Sequence, residues 1–193
     1  YIEKRIQDGA ANATINRELS ALKRMLSLGA RQTPPKVDRV PYIPKLKENN
    51  VRKGFFEHEE FMALRDALPE YLKTIATFGY TYGWRVNEIL GLTWDQVDVK
   101  NGIVRLEPGE TKNDAARVVY LTDELKAEFK KLFLNRRLDV SNVFLNEGKV
   151  IKSFRKAWLK ACTAAGVTGK LFHDLRRTSA RNNVRAGVPE RVS

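Results

Sequence analysis

Two residues in this 193-residue chain, His173 and Arg176, have the types and spacing to handle a phosphate, and Arg85 and Lys112 are basic residues in settings that could add to them. The tightest pairing is His173-Asp174-Leu175-Arg176. Asp174 is expected as a helix N-cap, with the helix running on to Gly187, so His173 and Arg176 fall three apart at a helix start and can face one point. Unpaired first-turn N–H groups and the helix dipole favour an anion at such a point. An arginine adds a planar fork for two oxygens, and a histidine adds a proton carrier that works near neutral pH. A lone His-x-x-Arg is more often a surface helix with a capping neighbour.

The second signal is Tyr82-Gly83-Trp84-Arg85, in which Gly83 supplies a tight break and Arg85 opens a short helix with Val86, Ile89 and Leu90 inward. Glu88 follows three residues later on the same side, placed to hold the guanidinium. An arginine in so apolar a setting is costly to bury unpaired, which fits either a structural Arg–Glu pair or a side chain presented for a purpose. Lys112 is expected at the tip of a β-hairpin, within Pro108-Gly109-Glu110-Thr111-Lys112-Asn113-Asp114. A lysine there is an ordinary solvated residue unless the other signals recruit it.

The elements that must position these residues read mainly α with a small antiparallel β-sheet, an α+β class. An amphipathic helix over 12–29, capped by Thr14, carries Ile15, Leu19, Leu22 and Leu26 on one stripe. From Arg31 to Gly54, Pro34, Pro35, Pro41 and Pro44 break any helix, and seven basic residues meet only Asp38 and Glu48. That composition suits either a plain linker or a stiff basic strap along a nucleic-acid backbone. Helices marked by Phe61, Leu64 and Leu68 and by Tyr71, Leu72, Ile75 and Phe78 follow. Strands are expected at 103–106 and 117–121, then a helix over 123–136, a short apolar segment at 143–145, and a helix lined by Phe154, Trp158, Leu159 and Cys162. Arg176, Arg177, Arg181 and Arg185 should give the last helix a dense positive face.

The totals narrow the partner. Lys and Arg number 35 against 23 Asp and Glu, a formal charge of +12, and a hydrophobic fraction of 42% suffices for a core. Such a surplus points to a polyanion, nucleic acid before membrane, because no basic amphipathic helix with an aromatic and leucine face is evident. One cysteine and two widely separated histidines argue against a disulfide or a metal site, and no apolar run spans a bilayer. A cytoplasmic location is expected.

Taken in order, Tyr82 through Asp95, Thr111-Lys112-Asn113 and His173 through Thr178 resemble the first-arginine box, hairpin lysine and His-x-x-Arg box of the tyrosine recombinase (phage integrase) family. The resemblance covers nearly the whole chain. It implies residues 1–30 as the end of a helical, SAM-like core-binding domain, 31–54 as a basic linker, and 55–193 as a catalytic domain incomplete at its C-terminus. It also implies DNA cleavage and rejoining through a 3′-phosphotyrosine, without cofactor or metal. Arg85 and Arg176 would stabilise the phosphate, Lys112 protonate the leaving 5′-oxygen, His173 assist proton transfer, and Glu88 support Arg85. Arg17, Arg52, Lys53, Arg177 and Arg181 are further candidates for contact with double-stranded DNA.

The family's nucleophilic tyrosine lies downstream of the His-x-x-Arg box, whereas Tyr1, Tyr42, Tyr71, Tyr80, Tyr82 and Tyr120 all precede His173. The expectation is a fragment, cut at both ends, that binds DNA weakly without cleaving it and can stay monomeric, where the full-length protein would form a tetramer on paired sites. The alternatives are a non-catalytic DNA-binding regulator on the same scaffold, a type IB topoisomerase, and a plain basic helical protein.

Overall fold

A computed structural model of the chain describes residues 1–49, 54–106 and 116–188. Lys112 and its turn, Arg52, Lys53 and Pro189 lie outside the described residues. The chain divides into two compact units, Tyr1–Lys53 and Gly54–Ser193.

The first unit holds α1 (Ile2–Gln7) and α2 (Asn12–Ala30). The α1 helix has no counterpart in the sequence reading. A fork from Arg5 to Glu18 ties the two helices, with Nε donating at 3.0 Å and Nη2 at 2.8 Å. Thr14 does not cap α2: its N–H and that of Ile15 already donate to the Ala11 carbonyl, so the helix has begun two residues earlier. Only the first half of the expected stripe is covered, Ile15 and Leu19 being buried while Leu22 is 43% exposed. Residues 31–49 form no helix or strand yet are held to α2 by Asn16. Its Nδ2 donates to the Leu46 carbonyl at 2.8 Å, and its Oδ1 accepts the Leu46 N–H at 2.8 Å. One buried amide thus satisfies both backbone groups of a residue with no ladder partner.

The second unit is mainly helical. It contains α3 (His58–Ala67), α4 (Glu70–Tyr82), α5 (Val86–Leu90), α6 (Asp123–Leu134), α7 (Arg155–Ala164) and α8 (Phe172–Arg185). A three-stranded antiparallel sheet, ordered β1 (Val97–Asp98), β2 (Ile103–Leu106), β3 (Arg117–Tyr120), lies between α5 and α6 in the chain. Its register sets Val104 opposite Val119 and Leu106 opposite Arg117. The two-residue β1 is too short to leave a sequence pattern. The apolar 143–145 segment splits, Val143 and Phe144 entering the core and Leu145–Asn146 (β4) pairing with Lys149–Val150 (β5). Leu159 faces outward on α7, at 42% exposure, beside the buried Trp158.

Phe78 sits at the centre of the core, with Trp84 edge-on at 5.1 Å and Phe129 at 5.8 Å between ring centroids. The contact that matters most for the site is between α4 and α8, where two glycines one helical turn apart let the helices approach closely. A Cβ on Gly79 would lie 2.8 Å from Phe172 Cζ, and one on Gly83 would lie 3.1 Å from Ser179 Cβ. Ser179 Oγ, buried at this seam, donates to the Thr81 carbonyl at 2.9 Å. At the other end of the same region, the Tyr82 hydroxyl donates to the Tyr120 carbonyl and accepts the Thr122 N–H, joining the end of α4 to the end of β3.

Candidate active site

Gly83 ends α4 with a left-handed backbone, φ +65°, which turns the chain so that Trp84 enters the core and Arg85 opens α5. Glu88 then folds back on the helix start. Its Oε2 accepts the Arg85 backbone N–H at 2.9 Å, and its Oε1 accepts Arg85 Nη1 at 2.8 Å. The expected Arg85–Glu88 pair is therefore present, but it is not a closed pair. Arg117, at the start of β3, donates Nη1 to Glu88 Oε2 at 3.1 Å. The Glu88 side chain is only 7% exposed. Burial alone would raise its carboxyl, but the Arg85 backbone and guanidinium bonds, with the charges of Arg117 and Arg85, hold it below the ordinary glutamate range.

Arg176 reaches this cluster from α8, donating Nη1 to the Gly83 carbonyl at 2.6 Å, two residues before Arg85. Its pKa is lowered, first by burial and then by the neighbouring charges of Arg85 and Arg117, with Glu88 offsetting part of the effect. A guanidinium does not lose its proton in response. The unfavourable charge appears instead as repulsion among three cations, two of which bond the one carboxylate of Glu88, and an arriving anion would relieve it. His173 is exposed in the first turn of α8, one turn before Arg176.

The start of α8 differs from the sequence reading. The helix begins at Phe172, flanked by Leu171, so Asp174 is its third residue and not its N-cap. Asp174 still serves the terminus, because its buried carboxylate accepts the Leu171 N–H at 2.8 Å. Thr178 adds a second tie, accepting the Phe56 N–H and donating to the Asp174 carbonyl.

The expected positive face of α8 is divided. Arg181 is turned inward at 19% exposure, donating to Glu57 Oε1 at 2.5 Å and to the Phe56 carbonyl at 2.7 Å. Arg185 also pairs with Glu57, and both Arg177 and Arg181 lie over the Phe55 ring. Arg181 thus fastens α8 to the segment before α3. Arg17 is exposed on α2 in the first unit. Among the described residues, no cluster of His, Cys, Asp and Glu could hold a metal, and no helix is long and apolar enough to cross a membrane.

Arg117 is the residue that the sequence reading passed over as the first residue of a strand. On β3, Val118 and Tyr120 face outward, which turns Arg117 inward with Val119, but the run is apolar on both faces, so the sequence carried no sign of that choice. An inward arginine requires a carboxylate partner.

The fold is that of the catalytic domains of tyrosine recombinases, and residues 54–192 match the phage integrase family, to which the chain belongs. Among curated proteins it is similar to the integrase of Salmonella phage P22, with 31% identity over 191 residues. That alignment covers 93% of this chain and 49% of the relative, so the chain spans about half of that protein's length. It is also similar to tyrosine recombinase XerC of Thermodesulfovibrio yellowstonii, at 26% identity over 100% of this chain and 69% of that one. Among solved structures, the Tn1549 transposon integrase in complex with a circular intermediate DNA superposes with a TM-score of 0.77 at 15% identity, over 98% of this chain and 72% of that one. Lambda integrase bound to DNA gives 0.67 at 18% identity, over 95% and 69%.

Proposed function

We propose that this chain is the DNA-binding and phosphate-activating part of a site-specific recombinase that cleaves and rejoins duplex DNA through a 3′-phosphotyrosine. The observation that carries the reading is the Arg176 guanidinium fixed on the Gly83 carbonyl, within the field of Arg85 and Arg117. In this mechanism, negative charge grows on the non-bridging oxygens as phosphorus becomes five-coordinate. Two preorganised guanidinium forks stabilise that charge without a metal. Arg85 and Arg176 perform that work, with Glu88 orienting Arg85. His173, on the exposed rim, takes part in proton transfer at the attacking hydroxyl, and Lys112 supplies the proton for the leaving 5′-oxygen. Residues 1–30, with Arg17, are the end of a core-binding domain, and the basic 31–54 linker tracks the DNA backbone. The full-length protein assembles as a tetramer on paired sites.

Every tyrosine of the sequence precedes His173. We therefore infer that this polypeptide alone binds DNA without forming the covalent adduct. A binding measurement on a 30-base-pair duplex tests the first half of that statement. Affinity should fall by about a hundredfold or more between about 50 and about 200 mM salt, because the contacts are to phosphates. Arg85→Ala and Arg176→Ala should each weaken binding at low salt, and in the full-length protein each should abolish the adduct on a suicide substrate. Salt-insensitive binding, or wild-type adduct from either variant, would overturn the assignment.

A further inference from the structure

We propose that Arg117 is a positioning residue of the phosphate grip, acting through Glu88 to fix Arg85. The proposal rests on the reading of Arg85 and Arg176 given above.

Three observations carry it. First, Glu88 Oε2 accepts both the Arg85 backbone N–H at 2.9 Å and Arg117 Nη1 at 3.1 Å, while Oε1 accepts Arg85 Nη1 at 2.8 Å. Arg117 therefore fixes the rotation of the carboxylate on which the Arg85 guanidinium rests. Second, the charge does not balance. A structural cluster would match cations with carboxylates, yet Glu88 is the one carboxylate among the described residues that bonds Arg85 or Arg117. Arg176 is a third cation in the same field. Such a surplus is unfavourable in the empty protein and is offset when a dianion or a phosphodiester enters. Third, Arg117 opposes Leu106 in the last pair of the β2–β3 ladder, at the end next to the 107–115 connection. In sequence it stands just after the 107–115 connection that carries Lys112. The Arg117–Glu88 bond thus ties the end of that ladder to the helix that Arg85 opens.

The partly exposed guanidinium of Arg117 is replaced by Gln, which removes the charge and keeps a donor, and by Lys, which keeps the charge. Inorganic phosphate is titrated into the 193-residue chain at constant pH and ionic strength, with the arginine Nε–Hε resonances followed by NMR. Arg117→Gln should weaken phosphate binding about tenfold, the size expected for a lost charge-assisted contact. It should also move the Arg85 resonance in the phosphate-free protein, whereas Arg117→Lys should recover affinity to within about threefold. Arg105→Ala removes a charge from the exposed face of the same hairpin and should change affinity by less than about twofold. Wild-type affinity with an unmoved Arg85 resonance in Arg117→Gln overturns the proposal, as does an equal loss in Arg105→Ala. If Arg85→Ala and Arg176→Ala also leave phosphate binding unchanged, the grip itself is absent and the reading beneath this proposal falls with it.

Discussion

Glu88 accepts three hydrogen bonds from two arginines while almost closed to solvent, so its charge and its shape can be separated by experiment. Its folded pKa lies below the ordinary value of 4.5. The carboxylate therefore contributes stability that is fully present above the unfolded value and is lost as pH falls through the lower folded one. Glu88→Gln should lower stability at pH 7 by about 1 to 3 kcal/mol, since two cations lose their charged partner. It should also flatten the acid limb of the stability profile below about pH 4.5. Urea unfolding at a series of pH values measures both effects, and an acid limb that keeps its slope in the variant would show that Glu88 is not its source. At this scale the sequence was informative about the Arg85–Glu88 pair, because three residues on a helix start bring side chains together by local geometry alone. Arg117 was not legible, because its partner lies 29 residues away and only the folded sheet brings the two together.

Among the elements, the α4–α8 seam decides whether the grip exists. Gly83 has two separate reasons to be glycine, a positive φ and a packing distance to Ser179, whereas Gly166 has a φ of +70° and open space around it. Gly166→Ala should then cost only the left-handed backbone penalty of about 1 kcal/mol and leave phosphate binding intact. Gly83→Ala should cost about 2 kcal/mol or more and weaken phosphate binding as well, because α8 must withdraw and carry Arg176 with it. Chemical denaturation paired with phosphate titration distinguishes the two, and equal behaviour of both variants would remove the seam from the account. Helix positions were readable from apolar periodicity, but their ends were less so. Asp174 has the chemistry of a cap, yet the helix starts two residues earlier, since an aspartate at the third position caps the same terminus from inside.

At the scale of the whole molecule, the chain is two units with different means of cohesion. The second has an aromatic core around Phe78, while the first relies on polar ties at Glu18 and Asn16. Asn16→Ala should leave α2 helical but release Leu46, whose N–H donates to the lost Oδ1. Hydrogen exchange at that amide should accelerate by at least about tenfold, and unchanged protection would show that the strap is held by other means. The proline-rich composition of 31–49 made its lack of regular structure legible, but not its attachment, because one asparagine within an amphipathic helix carries no pattern. The net charge of +12 pointed toward a polyanion, yet it did not reveal how the arginines divide their work. Arg181 and Arg185 pair with Glu57, and Arg176 turns to Gly83.

The bond from Arg176 to the Gly83 carbonyl closes a loop of 93 residues. Contacts of such long separation are slow to form, since the entropy of closing the loop must be met first. Half-made or locally melted copies of the polypeptide therefore lack the anion cradle even where each helix is intact. On the proposed reading, a grip on phosphate is thereby reserved for molecules that have finished folding.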